Sequence, residues 1–152
     1  MRAKARSILL LLLLVAPPAR AQDAIVGSVT HVRDGDTIEV EGIAIRLQGI
    51  AAPERGDPLG RRATAAMKAL VAGRRILCRP DGSRSWDRIV ARCFLAGRDI
   101  GEIMVRLGLA RDCPRYSGGR YAAAERAADR PIAEVYPLPS YCLPRQTASG
   151  PR

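Results

Sequence analysis

A short turn carries the first residues whose types could do chemistry. Asp34-Gly35-Asp36-Thr37 brings two carboxylates together, and Asp-Gly is a strong turn signal. A sharp turn with two carboxylates can present oxygen ligands to a hard cation. Because Asp-Gly turns are also common as plain connections, this turn alone does not establish a metal site.

Three further segments carry residue types that suit phosphate chemistry. They are Arg46-Leu47-Gln48-Gly49-Ile50-Ala51-Ala52-Pro53-Glu54, Asp87-Arg88-Ile89-Val90-Ala91-Arg92 and Val105-Arg106-Leu107-Gly108-Leu109-Ala110. Arginine can bind two phosphate oxygens with its planar fork, and a carboxylate can accept a proton from water. Taken singly, each has an ordinary explanation, because Arg46 can be a solvated strand residue, Arg88 can balance Asp87, and Glu54 can lie on a loop surface.

Taken in order and with their spacing, the turn and these segments resemble the staphylococcal nuclease (thermonuclease) family. Its members carry a DGDT turn, an RLxGIDxPE segment, an arginine near the start of the fifth strand and a VRxGLA helix end. The match extends over roughly residues 25–128. The resemblance implies an OB-type barrel and calcium-dependent hydrolysis of phosphodiester bonds in DNA and RNA.

The family's site residues carry over by position. Asp36 resembles a direct calcium ligand, and Glu54 resembles the glutamate that positions or activates the attacking water. Arg46 and Arg88 resemble the two arginines that bind the scissile phosphate. These types suit the reaction, because phosphoryl transfer needs an in-line nucleophile and stabilisation of negative charge on the phosphate oxygens.

One departure from the family pattern concerns the metal. Ala51 stands where the family has a second calcium-ligating aspartate, so we expect weak metal binding. Asp34 or Asp57 is a candidate replacement ligand, and Mg²⁺ is the alternative ion because it binds through one or two carboxylates plus substrate phosphate; an inactive protein would need neither. Under this interpretation, Ala51→Asp should raise activity or metal affinity.

Two aromatic residues are candidates for contact with the substrate. Trp86 precedes Asp87-Arg88, where relatives often have an aromatic residue, a glycine and then the arginine, and it can stack on a base or ribose. The alternative is a loop tryptophan that covers the barrel. Tyr116 lies near a position at which family members place a substrate-contacting tyrosine.

The hydrophobic pattern indicates which elements must position these residues. Alternating apolar residues predict strands at 25–33, 37–40 and 43–48, with Arg46 opposite the apolar face of the third strand. A helix follows at 59–73, then strands at 74–78 and 89–95 joined by a polar loop at 80–87. Helices are predicted at 99–108 and 118–129. This order predicts an α+β fold, a single-domain, five-stranded OB-type β-barrel with three helices.

Four cysteines predict two disulfides, for which three connectivities exist. Cys78 and Cys93 fall on matching faces of two neighbouring strands, so we expect them to pair; two reduced core cysteines are the alternative. Cys113 and Cys142 then form the second disulfide. The absence of a CxxC pair and the single histidine, His31, argue against a zinc site.

The chain begins with the features of a secretory signal peptide. Residues 1–21 hold a basic start, an apolar run and a small-x-small cleavage site, and the run is too short for a membrane span. We expect an exported protein, periplasmic or secreted, with no membrane attachment after cleavage; an uncleaved N-terminal anchor is the alternative. Residues 22–130 form the nuclease-like domain, and 131–152 form an irregular, proline-rich tail.

Charge is consistent with a polyanionic partner. The chain carries a net charge of +10, and +6 remains once the four basic residues of the first 21 are removed. A basic exported domain suits nucleic acid, although arginine-rich codon usage gives the same composition. We expect a monomer that acts on DNA or RNA. The alternatives are a catalytically impaired module that binds nucleic acid or another polyanion, and an envelope-associated structural domain.

Overall fold

The computed structural model describes residues 23–128 and 132–144. Its strands are β1 (Ile25–Val32), β2 (Thr37–Val40), β3 (Ile43–Leu47), β4 (Ile50–Ala51), β5 (Arg75–Ser85), β6 (Arg88–Leu95), β7 (Arg98–Asp99) and β8 (Arg111–Asp112). Its helices are α1 (Pro58–Val71), α2 (Ile100–Arg106), α3 (Pro114–Ser117) and α4 (Ala122–Arg126), with a 3₁₀ turn at Ser140–Cys142.

Five strands close into a ring. The antiparallel order is β3-β2-β1-β5-β6, and a parallel pairing of β3 with β6 closes it. The strand β7 adds to the edge of β6, while β4 and β8 form a separate two-stranded pair. The predicted OB-type barrel is therefore confirmed, and the closing pair brings the segment around Arg46 beside the segment that follows Arg88.

The barrel interior follows from the alternation of apolar residues. On β3, Ile45 and Leu47 are buried, while Arg46 lies on the opposite face as predicted. Helix α1 buries Ala63, Met67 and Val71 against this core. The side chain of Asp57 starts α1 by accepting a hydrogen bond from the Leu59 backbone N–H at 2.7 Å.

The prediction of a polar loop at 80–87 is wrong. Strand β5 continues to Ser85, and a two-residue turn at Trp86-Asp87 leads directly into β6. The register shifts between Pro80 and Arg84, and such an irregularity lets a strand accommodate proline without a ladder hydrogen bond. Trp86, in the turn of this hairpin, is exposed and has a positive φ of 59°.

The helix predicted at 118–129 is shorter in the structure, α4 (Ala122–Arg126), and a separate short helix, α3 (Pro114–Ser117), precedes it. Pro114 starts α3, since proline suits the first helical position. Gly118 and Gly119 then adopt φ values of 64° and 81°, which end α3 before α4 begins. Residue 129, the end of the predicted helix, lies outside the described residues.

Both predicted disulfides are present. Cys78 and Cys93 are register partners on β5 and β6 and are bonded to each other. Cys113 is bonded to Cys142. The predicted signal peptide lies outside the described residues. Within residues 23–128 and 132–144, no helix has the length and hydropathy of a membrane span.

Candidate active site

The Asp34–Thr37 turn is held by its own backbone and by α1. The N–H groups of Arg33 and Asp34 donate to the carbonyl of Thr37 at 2.9 and 3.3 Å. Gly35 packs so closely that a Cβ there would lie 2.7 Å from the Cβ atoms of both Ala52 and Ala63. Only glycine fits at this position, and its small size sets the turn against the loop that leads to Glu54.

Asp36 is buried, and both of its carboxylate oxygens have partners. Its Oδ1 accepts a hydrogen bond from the Thr37 hydroxyl at 3.1 Å, and its Oδ2 accepts one from the Ala52 backbone N–H at 2.9 Å. The guanidinium of Arg46 lies 3.0 Å from Oδ2. Burial raises the pKa of Asp36 to about 6, a cause that outweighs the opposing attraction of Arg46. Asp36 therefore serves, in this structure, as an anchor for Arg46.

Arg46 is held at the base of the site by three contacts. Its Nη1 donates to the carbonyl of Leu47 at 2.8 Å, and its Nη2 donates to the carbonyl of Ile50 at 2.8 Å in addition to pairing with Asp36. These partners lie on β3, on β4 and in the turn, so the guanidinium is fixed from three directions. A side chain fixed in this way offers an anion a preorganised cationic group.

Arg88 comes from the start of β6. It donates to the Thr37 hydroxyl at 2.9 Å, to the Ser85 carbonyl at 3.2 Å and to the Ser85 hydroxyl at 3.0 Å. Asp87 pairs with Arg33 at 2.8 Å, so it is a partner of Arg33 in this structure. Of its five N–H groups, Arg88 uses three on described residues, which leaves two to bind an anion.

These side chains meet in one cleft of about 540 Å³. Asp34, Asp36, Arg46, Arg88 and the exposed Glu54 all line it, and so do three aromatic residues, Trp86, Tyr116 and Tyr141. Trp86 is 91% exposed, so the interpretation of a tryptophan that covers the barrel is wrong. Every site residue predicted for catalysis, metal binding or substrate contact thus lies at the same cleft, except Asp57, the candidate replacement ligand.

Gly60 positions Glu54. A Cβ on Gly60 would lie 1.7 Å from the Glu54 carbonyl oxygen, so the first turn of α1 packs directly on the loop that carries the glutamate. The same carbonyl accepts the Asp57 N–H at 3.0 Å. A glycine at the start of an amphipathic helix, just after Pro53-Glu54, was the available sequence signal for this close approach.

Ala51 faces away from the acidic side chains of the turn. It is fully buried and packs in a small apolar cluster with the Cys113–Cys142 disulfide and Leu138. The strand β4 fixes this orientation, because Ala51 pairs with Arg111 of β8. An aspartate at this position would therefore enter an apolar cluster, so the structure favours a loss of stability over the predicted gain of activity.

The donor atoms do not fit a resident calcium ion. Calcium takes about 6–8 oxygen ligands, whereas both oxygens of Asp36 already have partners and Asp34 accepts the Asp36 N–H at 2.9 Å. Asp57, the other candidate replacement, caps α1. Across residues 23–128 and 132–144, no three His, Cys, Asp or Glu side chains are grouped closely enough to hold a metal ion.

The sequence interpretation missed two tyrosines from the segment that follows α4. The Tyr136 hydroxyl donates to the Ala52 carbonyl at 3.1 Å, and Tyr141 lines the cleft. Their only sequence signal was Cys142, because a disulfide from the tail to Cys113 brings the neighbouring residues to the same part of the barrel.

Comparison with known proteins agrees with this geometry. The family model described as staphylococcal nuclease homologue matches residues 44–130. An uncharacterized endonuclease of Escherichia coli is 38% identical over 89 residues, covering 55% of this chain and 58% of that protein. The succinoglycan biosynthesis protein ExoI of Rhizobium meliloti (strain 1021) is 34% identical over 128 residues, covering 76% and 66%.

A third relative, protein ParB of Escherichia coli, is 34% identical over 110 residues, covering 70% of this chain and 55% of that protein. The chain thus spans between half and two thirds of the length of these curated relatives. The family model covers more than half of the chain, including Arg46, Glu54 and Arg88. On this match, together with the closed barrel and the arginine-lined cleft, the chain belongs to the staphylococcal nuclease homologue family.

Proposed function

We propose that this protein is a nuclease that hydrolyses phosphodiester bonds of DNA or RNA. The observation that carries the proposal is the convergence of Arg46, Arg88 and Glu54 on one cleft. Two guanidinium groups match the charge and geometry of a phosphodiester, and an exposed carboxylate beside them can reach a water molecule. The endonuclease names of similar proteins support the same chemistry.

Each of the four site residues can be given a role in phosphodiester hydrolysis. Arg46 and Arg88 bind the non-bridging oxygens of the phosphate and stabilise the charge that develops on them. Glu54 accepts a proton as water attacks phosphorus, the P–O bond to the leaving group breaks, and the departing oxygen takes up a proton from solvent. Asp36 holds Arg46 in position through its 3.0 Å contact.

Metal dependence is the point at which the proposal departs from the family. The resemblance implies calcium, yet the donor atoms around Asp36 do not complete a calcium shell. We therefore assign no role to a resident ion, and calcium or magnesium dependence is left to direct measurement.

Cleavage assays test the proposal. Purified mature protein is incubated with plasmid and with single-stranded DNA and RNA, in calcium, in magnesium and in EDTA. We expect cleavage by the wild type and a loss of at least about 100-fold for Glu54→Gln, since a general base contributes about 10²–10⁴-fold. Arg61→Gln, a matched change of an exposed residue on α1, serves as control. No cleavage in any of the three conditions would refute nuclease activity.

A binding module without cleavage is the second candidate, favoured by the incomplete donor set and by the exposed Trp86. It predicts that oligonucleotide binding is retained while cleavage is absent in every metal condition. In that case Arg46→Ala and Arg88→Ala would weaken binding, and Glu54→Gln would leave it unchanged.

We also propose that the protein works as a monomer outside the cytoplasm. Two disulfides support this location, because such bonds persist in oxidising compartments. The basic start and apolar run of residues 1–21 support export. Fractionation of cells that express the full chain, with non-reducing peptide mapping of the recovered protein, tests the location. Size-exclusion chromatography of the purified protein tests the monomer.

A further inference from the structure

Residues 132–144 lie against the active-site cleft. The Cys113–Cys142 disulfide connects this segment to the residue that precedes α3, and both cysteines are buried. The carbonyl of Tyr136 also accepts a hydrogen bond from Arg111 at 3.2 Å. The segment is therefore attached to the barrel covalently and through the side chain of Arg111.

Tyr136 connects this segment to the catalytic loop. Its hydroxyl donates to the Ala52 carbonyl at 3.1 Å, while the Ala52 N–H donates to Asp36 at 2.9 Å. Ala52, which lies two positions before Glu54, thus links Tyr136 to Asp36, the residue that holds Arg46. Burial raises the pKa of Tyr136 to about 12, so its hydroxyl keeps the proton that it donates.

Tyr141 lies in the cleft itself. It lines the same cavity as Arg46, Arg88 and Glu54, and it is 48% exposed. The next residue is the disulfide-bonded Cys142, so the tyrosine backbone is held close to the barrel. A phenol hydroxyl beside two guanidinium groups can donate to the phosphate that those groups bind.

We propose that Tyr141 is a further substrate-contacting residue, a hydrogen-bond donor to the phosphodiester bound by Arg46 and Arg88, and that the Cys113–Cys142 disulfide holds it in the cleft. Tyr136 acts as a positioning residue for the loop that carries Glu54. The proposal deepens the proposed nuclease function and rests on it for the identity of the anion. It predicts that the active site is incomplete without residues 132–144.

Tyr141→Phe isolates the hydroxyl, because the ring is retained. We expect the Kd for a short single-stranded oligonucleotide, measured by fluorescence anisotropy in EDTA, to rise about 5- to 10-fold, and KM to rise with it while Tm is unchanged. Tyr121→Phe is the matched control. Its hydroxyl donates to Asp99 at 3.0 Å, and neither residue lines the cleft, so this change should lower Tm and leave Kd unchanged.

A double-mutant cycle tests the role of the disulfide. Cys113→Ser with Cys142→Ser should weaken binding at least as much as Tyr141→Phe. Adding Tyr141→Phe to this pair should then have less than a 2-fold further effect, because the released tyrosine no longer contributes. The control removes the other disulfide with Cys78→Ser and Cys93→Ser. In that background, Tyr141→Phe should weaken binding as much as it does in the wild type.

The outcomes separate the two proposals. If the wild type binds the oligonucleotide without cleaving it, and Tyr141→Phe binds it more weakly, the nuclease proposal is refuted and the role of Tyr141 is supported. Cleavage and binding that are both unchanged in Tyr141→Phe overturn the role of Tyr141 and leave the nuclease intact. Wild type that neither binds nor cleaves overturns both. If the cysteine variants fail to fold, the comparison of Tyr141→Phe with Tyr121→Phe still decides whether the Tyr141 hydroxyl contacts the substrate.

Discussion

Ala51→Asp restores the residue that the family has at this position, and the structure predicts that it harms the protein. The Ala51 side chain is 0% exposed and packs against the Cys113–Cys142 disulfide and Leu138. A new carboxylate would have to lose its hydration in an apolar cluster. We therefore expect a less stable protein with no gain in metal affinity.

The size of the loss follows from burial. Full burial raises the pKa of a carboxyl group by up to about 3–5 from its usual value of about 3.9. With a rise of about 3.5, the ionised group costs about 4 kcal/mol at pH 7.5 and about 1 kcal/mol at pH 4.5. The added volume contributes a further cost of about 1–3 kcal/mol at either pH.

The sign of the pH dependence follows from the same shift. An acid whose pKa is higher in the folded than in the unfolded state favours folding when protonated. The loss caused by Ala51→Asp should therefore shrink as the pH falls. At a few degrees per kcal/mol for a domain of this size, we expect Tm to fall by about 15–25 °C at pH 7.5.

Circular dichroism thermal melts at pH 7.5 and 4.5 measure this effect, with calcium titrations in parallel. Ala51→Asn is the uncharged control of equal volume, and it should show a loss with little pH dependence. Ala65→Asp places the same charge at an exposed site on α1 and should change Tm by only a few degrees. If Ala51→Asp were as stable as the wild type and bound calcium more tightly, the orientation of Ala51 described above would be refuted.

Three further predictions concern the turn, the catalytic loop and the hairpin. The raised pKa of Asp36, about 6 against 3.8, means that wild type gains stability relative to Asp36→Asn as the pH falls from 7.5 to 4.5. Urea unfolding should show this gain in the free energy of unfolding at about 2 kcal/mol. The same pH dependence of this free energy in both proteins would contradict it. Gly60→Ala should lower kcat and cost more than about 2 kcal/mol, because its Cβ would meet the Glu54 carbonyl. Gly56→Ala, which has open space at the Cβ position, is the matched control, and similar losses in both would refute the close-packing explanation. Trp86→Ala should raise the Kd for single-stranded DNA by about 10-fold, since stacking is worth about 1–3 kcal/mol per base. Tm should not change because Trp86 is 91% exposed, and unchanged binding would exclude stacking.

Much of the fold could be predicted from local patterns. The meander from β1 to β3 follows from alternating apolar residues and from two tight turns, both of which act over a few residues. The pairing of Cys78 with Cys93 was predictable because two strands on one sheet have a definite register. The polar composition of 80–87 was misleading, since an exposed hairpin arm has no buried face and therefore no apolar alternation.

The sequence by itself determined the family and the residue types at the site: Asp36, Arg46, Glu54 and Arg88 occur in the order that the family shares. Only the tertiary structure decided how they are used. The pairing of Asp36 with Arg46, the burial of Ala51 against a disulfide and the contact of Tyr136 with Ala52, 84 residues away, depend on contacts between distant segments. Such contacts form only when the barrel closes and the disulfide is made. They could not be predicted from the sequence, because a contact between distant residues leaves no periodic pattern in the chain.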